Sequence, residues 1–178
     1  MSTLRIPVGP DDHAQGPADA PVTLVEYADY QCPYCAQAFP VVRQLQARFG
    51  HDLRLVFRNF PLSQAHPQAL PAALVAEFAG QHRKFWPAHD ALFENQDRLG
   101  GSLYAELLEA LGLGADALES ALQSRPLLER VQADLNGGLR SGVNGTPAFF
   151  LNGQRYDVRS GFDELAAPIE ALIAQSRA

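Results

Sequence analysis

Apolar residues recur along this chain in two rhythms, and the change from one to the other marks its organisation. The runs Val22-Thr23-Leu24-Val25-Glu26-Tyr27 and Leu53-Arg54-Leu55-Val56-Phe57-Arg58 are short, β-branched and aromatic, and read as strands. Between them, residues 36–49 carry apolar side chains at helical spacing and end at the break Gly50-His51-Asp52. This is a β-α-β unit, and a right-handed crossover would make its strands parallel. After the turn Asn59-Phe60-Pro61-Leu62 the rhythm is helical from His66 to about Gln123, with helices predicted over 69–79, 85–94, 103–111 and 115–123, and Gly100-Gly101, Gly112 and Gly114 as helix ends. A further helix is predicted over 127–139. Strand signals return in Ala148-Phe149-Phe150-Leu151 and Gln154-Arg155-Tyr156, joined by Asn152-Gly153, a strong short hairpin signal. Residues 163–174 close the chain as a helix.

The predicted order is therefore β-α-β, helical block, β-β-α, an α/β chain with an all-helical insertion over 63–139 between halves at 22–62 and 140–178. Residues 1–21, rich in Pro, Asp, Ala and Gly, are predicted to hold no regular structure and to form an arm.

Composition narrows the function classes. At 178 residues and 47% hydrophobic content the chain can bury a core without disulfides. Its 14 basic and 20 acidic residues give a net charge of −6 with no Lys/Arg run, which argues against a nucleic-acid or anionic-membrane footprint. No stretch approaches the roughly 20 apolar residues of a spanning helix, so no membrane insertion is expected. The first twenty residues, with Pro7, Pro10, Pro17, Asp11 and Asp12, lack the apolar run of a signal peptide; a cytoplasmic chain is expected, or a periplasmic one if a leader has been removed. No phosphate-cradling glycine motif occurs, so no nucleotide cofactor is expected.

The only two cysteines stand in Cys32-Pro33-Tyr34-Cys35, where the first strand hands over to a helix. A Cys-x-x-Cys pair is a redox dithiol, half of a zinc site or an inert structural pair. The five histidines, at 13, 51, 66, 82 and 89, form no His pair of zinc-ligand spacing, and no metal is expected. Cys32 occupies the N-cap neighbourhood and Pro33 the first turn, where its missing N–H costs nothing. Unpaired first-turn amides and the helix dipole would then favour a Cys32 thiolate. Such placement can lower a cysteine pKa from about 8.5 to roughly 3.5–7.5. Cys32 is the predicted nucleophile, and Cys35, one turn later and more shielded, the resolving thiol. The pair is itself the redox group, with no other cofactor.

Through 22–35, 57–62 and 145–153, and in element order over about 16–175, the chain resembles the DsbA-like thiol–disulfide oxidoreductases of the thioredoxin fold. The resemblance implies a thioredoxin fold split by the helical insertion, attack by Cys32 on substrate disulfides and resolution by Cys35. It implies a cis-proline at Thr146-Pro147, leaving the Thr146 backbone to pair with an extended substrate peptide; on the residues alone a trans proline opening an edge strand is an equal reading. It also implies that Glu26 is a buried acid relaying protons to Cys35. Strand alternation alone, pointing Glu26 away from Val25 and Tyr27, favours a solvent-facing carboxylate instead. Tyr34 departs from the Pro-His dipeptide of strongly oxidising members and matches the glutaredoxin motif, which argues against a strong oxidant and marks Tyr34 as a substrate contact.

The implied partners are protein dithiols or disulfides, or glutathione-type thiols, with a further redox partner. A redox-idle peptide-binding or chaperone-like module of the same fold is the alternative. Phe85-Trp86 with Leu92-Phe93 reads as helical core, with a substrate groove as the second reading. Phe60 reads as a core plug. Arg58 reads as a surface cation or as a charge that tunes Glu26.

Overall fold

The computed structural model describes residues 2–178, and among these the chain forms five strands and seven α-helices. In order they are β1 (His13–Gln15), β2 (Val22–Ala28), α1 (Pro33–Phe49), β3 (Leu53–Asn59), α2 (Ala69–Gln81), α3 (Phe85–Glu94), α4 (Gly101–Ala110), α5 (Ala117–Gln123), α6 (Arg125–Arg140), β4 (Ala148–Leu151), β5 (Gln154–Tyr156) and α7 (Ala166–Ser176). The strands make one mixed sheet in the order β1-β3-β2-β4-β5, a thioredoxin-type arrangement with β2 at its centre. β1–β3, β2–β4 and β4–β5 are antiparallel, and Tyr27 faces Ala148 while Leu24 faces Leu151.

Two compact units emerge. The first joins the segment ending at Ala28 with Gln37–Arg58 and Gly137–Ala178; the second joins Asp29–Ala36 with Asn59–Asn136. In the first, β2 and β3 are buried at every position but Thr23 and Arg54. Strands covered on both faces need no alternation, so their sequences read as near-continuous apolar runs. Ala38, Val42 and Leu45 give α1 its buried stripe, and Ile169 and Ile173 do the same for α7, which packs on β2. The β4–β5 turn uses Asn152 and Gly153 at φ 46° and 81°, as a two-residue hairpin requires. Asn152 also ties the turn to the start of β2, accepting from the Thr23 amide at 2.8 Å and donating to the Pro21 carbonyl at 3.1 Å.

The predicted structureless arm is the main departure. His13–Gln15 pairs with β3, and Thr3 forms a bridge with Gln154 on β5, so the arm borders both sides of the sheet. The composition hid this because the strand is only three residues long and is specified by its anchors. Asp12 and the carbonyls of Ile6 and Pro7 converge on Arg58, whose guanidinium reaches Asp12 at 2.8 and 2.9 Å and the Tyr27 hydroxyl at 3.0 Å. Gly16 follows at φ 94°, where a Cβ would lie 2.4 Å from the Leu53 carbonyl oxygen, so only glycine lets the arm pass β3 so closely.

The second unit is helical apart from its entering segments. α2 is buried on most sides by small residues such as Ala69, Ala72, Ala73 and Ala76, which allow α3, α4 and α5 to pack on it. Phe85, Leu92 and Phe93 are buried and Trp86 half-buried, so the aromatic stripe is core; Phe60 is buried as well. Asn59 donates through Nδ2 to Glu77 at 2.8 Å and Asp134 at 3.1 Å, and its amide also donates to Asp134 at 3.0 Å. Burial, opposed by the charge of Arg130, pushes the Asp134 carboxyl up to about 6.

Helix boundaries moved for local reasons. α6 starts two residues before the predicted 127 because the Ser124 hydroxyl caps it, accepting from the Leu127 amide at 3.3 Å. The last helix opens as a 3₁₀ turn at Phe162–Leu165, since Pro168 has no N–H to close an α-turn back to Glu164.

Asp12→Ala should leave Arg58 buried without its counter-ion and lower stability by about 3–5 kcal/mol. Urea denaturation should show this as a drop in midpoint; an unchanged midpoint would mean that the arm carries no weight in the fold.

Candidate active site

The dithiol segment lies between the end of β2 and the first turn of α1. The Ala36 amide donates to the Cys32 carbonyl at 3.2 Å, which makes Cys32 the N-cap of α1 and Pro33 its first residue, as the spacing predicts. The two cysteines are not bonded to each other. Cys32 is 4% exposed and Cys35 0%, so the order of shielding is the expected one, although Cys32 shows less surface than a freely reachable nucleophile would. Tyr34, between them, is 63% exposed.

What holds this segment was not foreseen. Asp29, the residue after β2, is buried, and its carboxylate accepts four hydrogen bonds. Oδ1 takes the amides of Gln31 at 2.7 Å and Cys32 at 3.2 Å; Oδ2 takes the Leu62 amide at 3.0 Å and His66 Nδ1 at 2.8 Å. Because a carboxylate only accepts, Nδ1 of His66 carries the proton. The Asp29 amide in turn donates to Cys35 Sγ at 3.5 Å. Gln96 spends both protons of its amide nitrogen on the segment's carbonyls, donating to Tyr30 at 2.9 Å and Cys32 at 2.8 Å. The Gln68 amide donates to Gln31 Oε1 at 2.6 Å. Tyr30 is buried with its hydroxyl 3.0 Å from His89 Nδ1, and its ring packs on His89 and Phe93. His89, which carries no metal-ligand spacing in the sequence, is a buried anchor of the dithiol segment.

Asp29 had a local signal in the sequence, since an Asp just before a strand-to-helix turn can accept the amide two residues on in an Asx turn, as it does from Gln31. Gln96, His66 and His89 had none, because they come from positions 37 to 66 residues away and meet the segment only in the fold.

The remaining predicted residues lie in the sheet unit. Glu26 is 3% exposed, opposite Phe149 of β4, and burial pushes its carboxyl from 4.5 up to about 8. The solvent-facing reading from alternation is thus corrected: β2 is covered on both faces, so no residue in its middle reaches water. The Thr146-Pro147 bond is cis, and both residues are half-buried. With Tyr27 opposite Ala148, the register carries Pro147 to the Ala28 end of β2. Arg58 is neither the surface cation nor the tuning charge of the sequence reading: it is 3% exposed and committed to Asp12 and Tyr27. Burial opposes its charge, and those two partners more than offset this and raise its pKa. Among the described residues no cluster of three or more His, Cys, Asp or Glu could hold a metal ion.

A dithiol capping the helix that follows the central strand of such a sheet, with a cis-proline opening β4, is the thioredoxin arrangement, and the helices α2 to α6 between β3 and β4 give it the DsbA-like form. A family model described as thioredoxin matches residues 9–171, and the chain belongs to that family. Among solved structures, BdbD of Bacillus subtilis in its oxidised form superposes with a TM-score of 0.81 at 24% identity, covering 90% of this chain and 92% of that one. The α-DsbA1 of Wolbachia pipientis also gives 0.81, at 20% identity, over 98% and 96%. Among curated relatives, the Na(+)/H(+) antiporter NhaA 1 of Salinispora arenicola is 41% identical over 175 residues, 98% of this chain but 27% of that protein. An NhaA antiporter of Herminiimonas arsenicoxydans is 39% identical over 175 residues, again 98% of this chain and 27% of that protein. The chain thus spans about a quarter of the length of the curated relatives it matches.

The Glu26 shift fixes a pH dependence. Its folded pKa lies above its unfolded value, so the folded state binds the extra proton and stability falls as pH rises from about 4.5 to about 8. Glu26→Gln should remove that fall and be the more stable form at pH 8, by as much as roughly 4 kcal/mol. Urea midpoints at pH 5 and pH 8 test this; parallel losses in the two proteins would exclude Glu26 as the source.

Proposed function

We propose that this chain is a thiol–disulfide oxidoreductase that works through mixed disulfides on Cys32. The observation that carries the reading is the placement of Cys32 as N-cap of α1, with Cys35 fully buried one turn further on. The first-turn amides and the helix dipole favour negative charge on the Cys32 sulfur. In the reducing direction the Cys32 thiolate attacks a substrate disulfide, forming one S–S bond as the other breaks and expelling a substrate thiolate. Cys35 loses its proton and attacks the Cys32 sulfur, and the second substrate thiolate leaves. Two electrons pass to the substrate, and the Cys32–Cys35 disulfide remains. The same steps reversed oxidise a client dithiol.

Glu26 is proposed as the acceptor of the Cys35 proton. A carboxyl near 8 can take up and return a proton around neutral pH, which a carboxylate at its ordinary value does poorly. Thr146 and Pro147 are proposed to meet the backbone of an extended substrate, and Tyr34 to contact it with its exposed ring. The substrates are protein dithiols or disulfides, or glutathione-type thiols, with a separate redox partner closing the cycle. Tyr34 in place of a histidine favours a reductase or glutathione-linked role over a strong oxidant. In a compartment held reduced by glutathione the same direction follows. Antiport is what the names of the longer relatives say of those whole proteins; the dithiol reading concerns the stretch they share with this chain. Among the described residues no helix is long and apolar enough to cross a membrane.

Cys35→Ser should accumulate mixed disulfides with clients, visible as reducible adducts on mass spectrometry, and Cys32→Ala should bring disulfide turnover down to background. Client binding that survives Cys32→Ser with function intact would instead identify a redox-idle peptide-binding module.

A further inference from the structure

The mechanism above leaves unused a buried acid placed closer to the dithiol backbone than any other charged group on the segment. Asp29 lies three residues before Cys32, with an Oδ1 contact of 3.2 Å to the Cys32 amide and a backbone N–H directed at Cys35 Sγ. Asp29 therefore touches both cysteines, Cys32 through its carboxylate and Cys35 through its backbone amide. Its other oxygen is fixed by Leu62 and His66, so the charge cannot swing away into water. Coulomb attraction or repulsion over a few ångströms of protein far exceeds its value in water.

We propose that Asp29 is a positioning residue of the redox site, fixing the backbone at Cys32 and holding the dithiol toward the reducing end of its range through its negative charge. The step rests on the oxidoreductase reading for its biological meaning, but its physics concerns only the two thiols. A fixed negative charge beside the segment disfavours a thiolate on Cys32 or Cys35, and so destabilises the reduced form, in its reactive state, relative to the disulfide. A lower thiolate population and a lower reduction potential follow together. At a pH where His66 is neutral in both proteins, neutralising Asp29 changes the local charge by +1. The helix N-terminus and Asp29 thus act on Cys32 in opposite senses, and Tyr34 joins Asp29 in keeping the pair from becoming a strong oxidant.

The test replaces the charge and keeps the turn. Asp29→Asn retains an oxygen for the Gln31 and Cys32 amides, and Asp29→Ser retains a shorter acceptor for the same amides. Thiolate formation on Cys32 is followed by ultraviolet absorbance against pH, with Cys35 replaced by Ala in the background. The redox equilibrium is measured in the two-cysteine chain against glutathione buffers, where two glutathione thiols give up two electrons and two protons to the Cys32–Cys35 disulfide and become one glutathione disulfide. Each neutral variant should shift the Cys32 titration down by about one pH unit and move the glutathione equilibrium about tenfold toward the dithiol. A merely structural Asp29 would leave both within about twofold in a variant whose circular dichroism is native, and that result overturns the proposal. Failure of both variants to fold would place Asp29 in the fold alone and overturn it equally. Absence of turnover in the unsubstituted chain would count against the oxidoreductase reading and not against this one, because the thiolate titration needs no client.

Discussion

Covering β2 on both faces is the constraint from which most of the polar chemistry follows. A central strand with no solvent side must neutralise, pair or cap every polar group that it carries. Glu26 meets that demand by holding its proton to about pH 8. Tyr27 meets it by giving its hydroxyl a bond from Arg58, and Arg58, itself buried, takes Asp12 from the arm. At the strand's end Asp29 meets it with four donors. Three neighbouring residues thus solve one problem in three ways, and the first and third place chemistry at the strand from which the dithiol segment departs.

The dithiol segment, in turn, is held by backbone as much as by side chains. Gln96 and Asp29 between them occupy the carbonyls of Tyr30 and Cys32 and the amides of Gln31 and Cys32. Partners on α3 and on the turns that precede α2 and follow α3 make the helical block the support of the redox loop. Rigid support matters because a thiolate acts on a sulfur approached in line, and a loose loop would spend binding energy on ordering itself.

Legibility from sequence followed interaction range. The strands at 22–27, 53–58, 148–151 and 154–156, and the dithiol at a helix start, were readable because their causes are local: β-branched runs, Asn-Gly, and Pro33 after Cys32. The arm strand β1 was unreadable because three residues carry no periodicity and its anchors lie on β2 and β3. Glu26 was misread by alternation for the same reason that β2 looks uniformly apolar. His66, His89 and Gln96 gave no sign, since a histidine or glutamine on a helix surface acquires a role only from what the fold brings to it. The resemblance to DsbA-like proteins supplied what the residues could not, namely the burial of Glu26 and the cis bond at Pro147.

The arm carries a consequence for handling the chain as well as for its fold. The same segment runs beside β5 through Thr3 and beside β3 through His13–Gln15. The strands left at the margins are three residues long, too short to template another chain's pairing. Deletion of the segment up to residue 21 would uncover the outer edge of β3 and that of β5 in one stroke. The N-terminal segment therefore covers both margins of the sheet at once, although its composition predicts no regular structure.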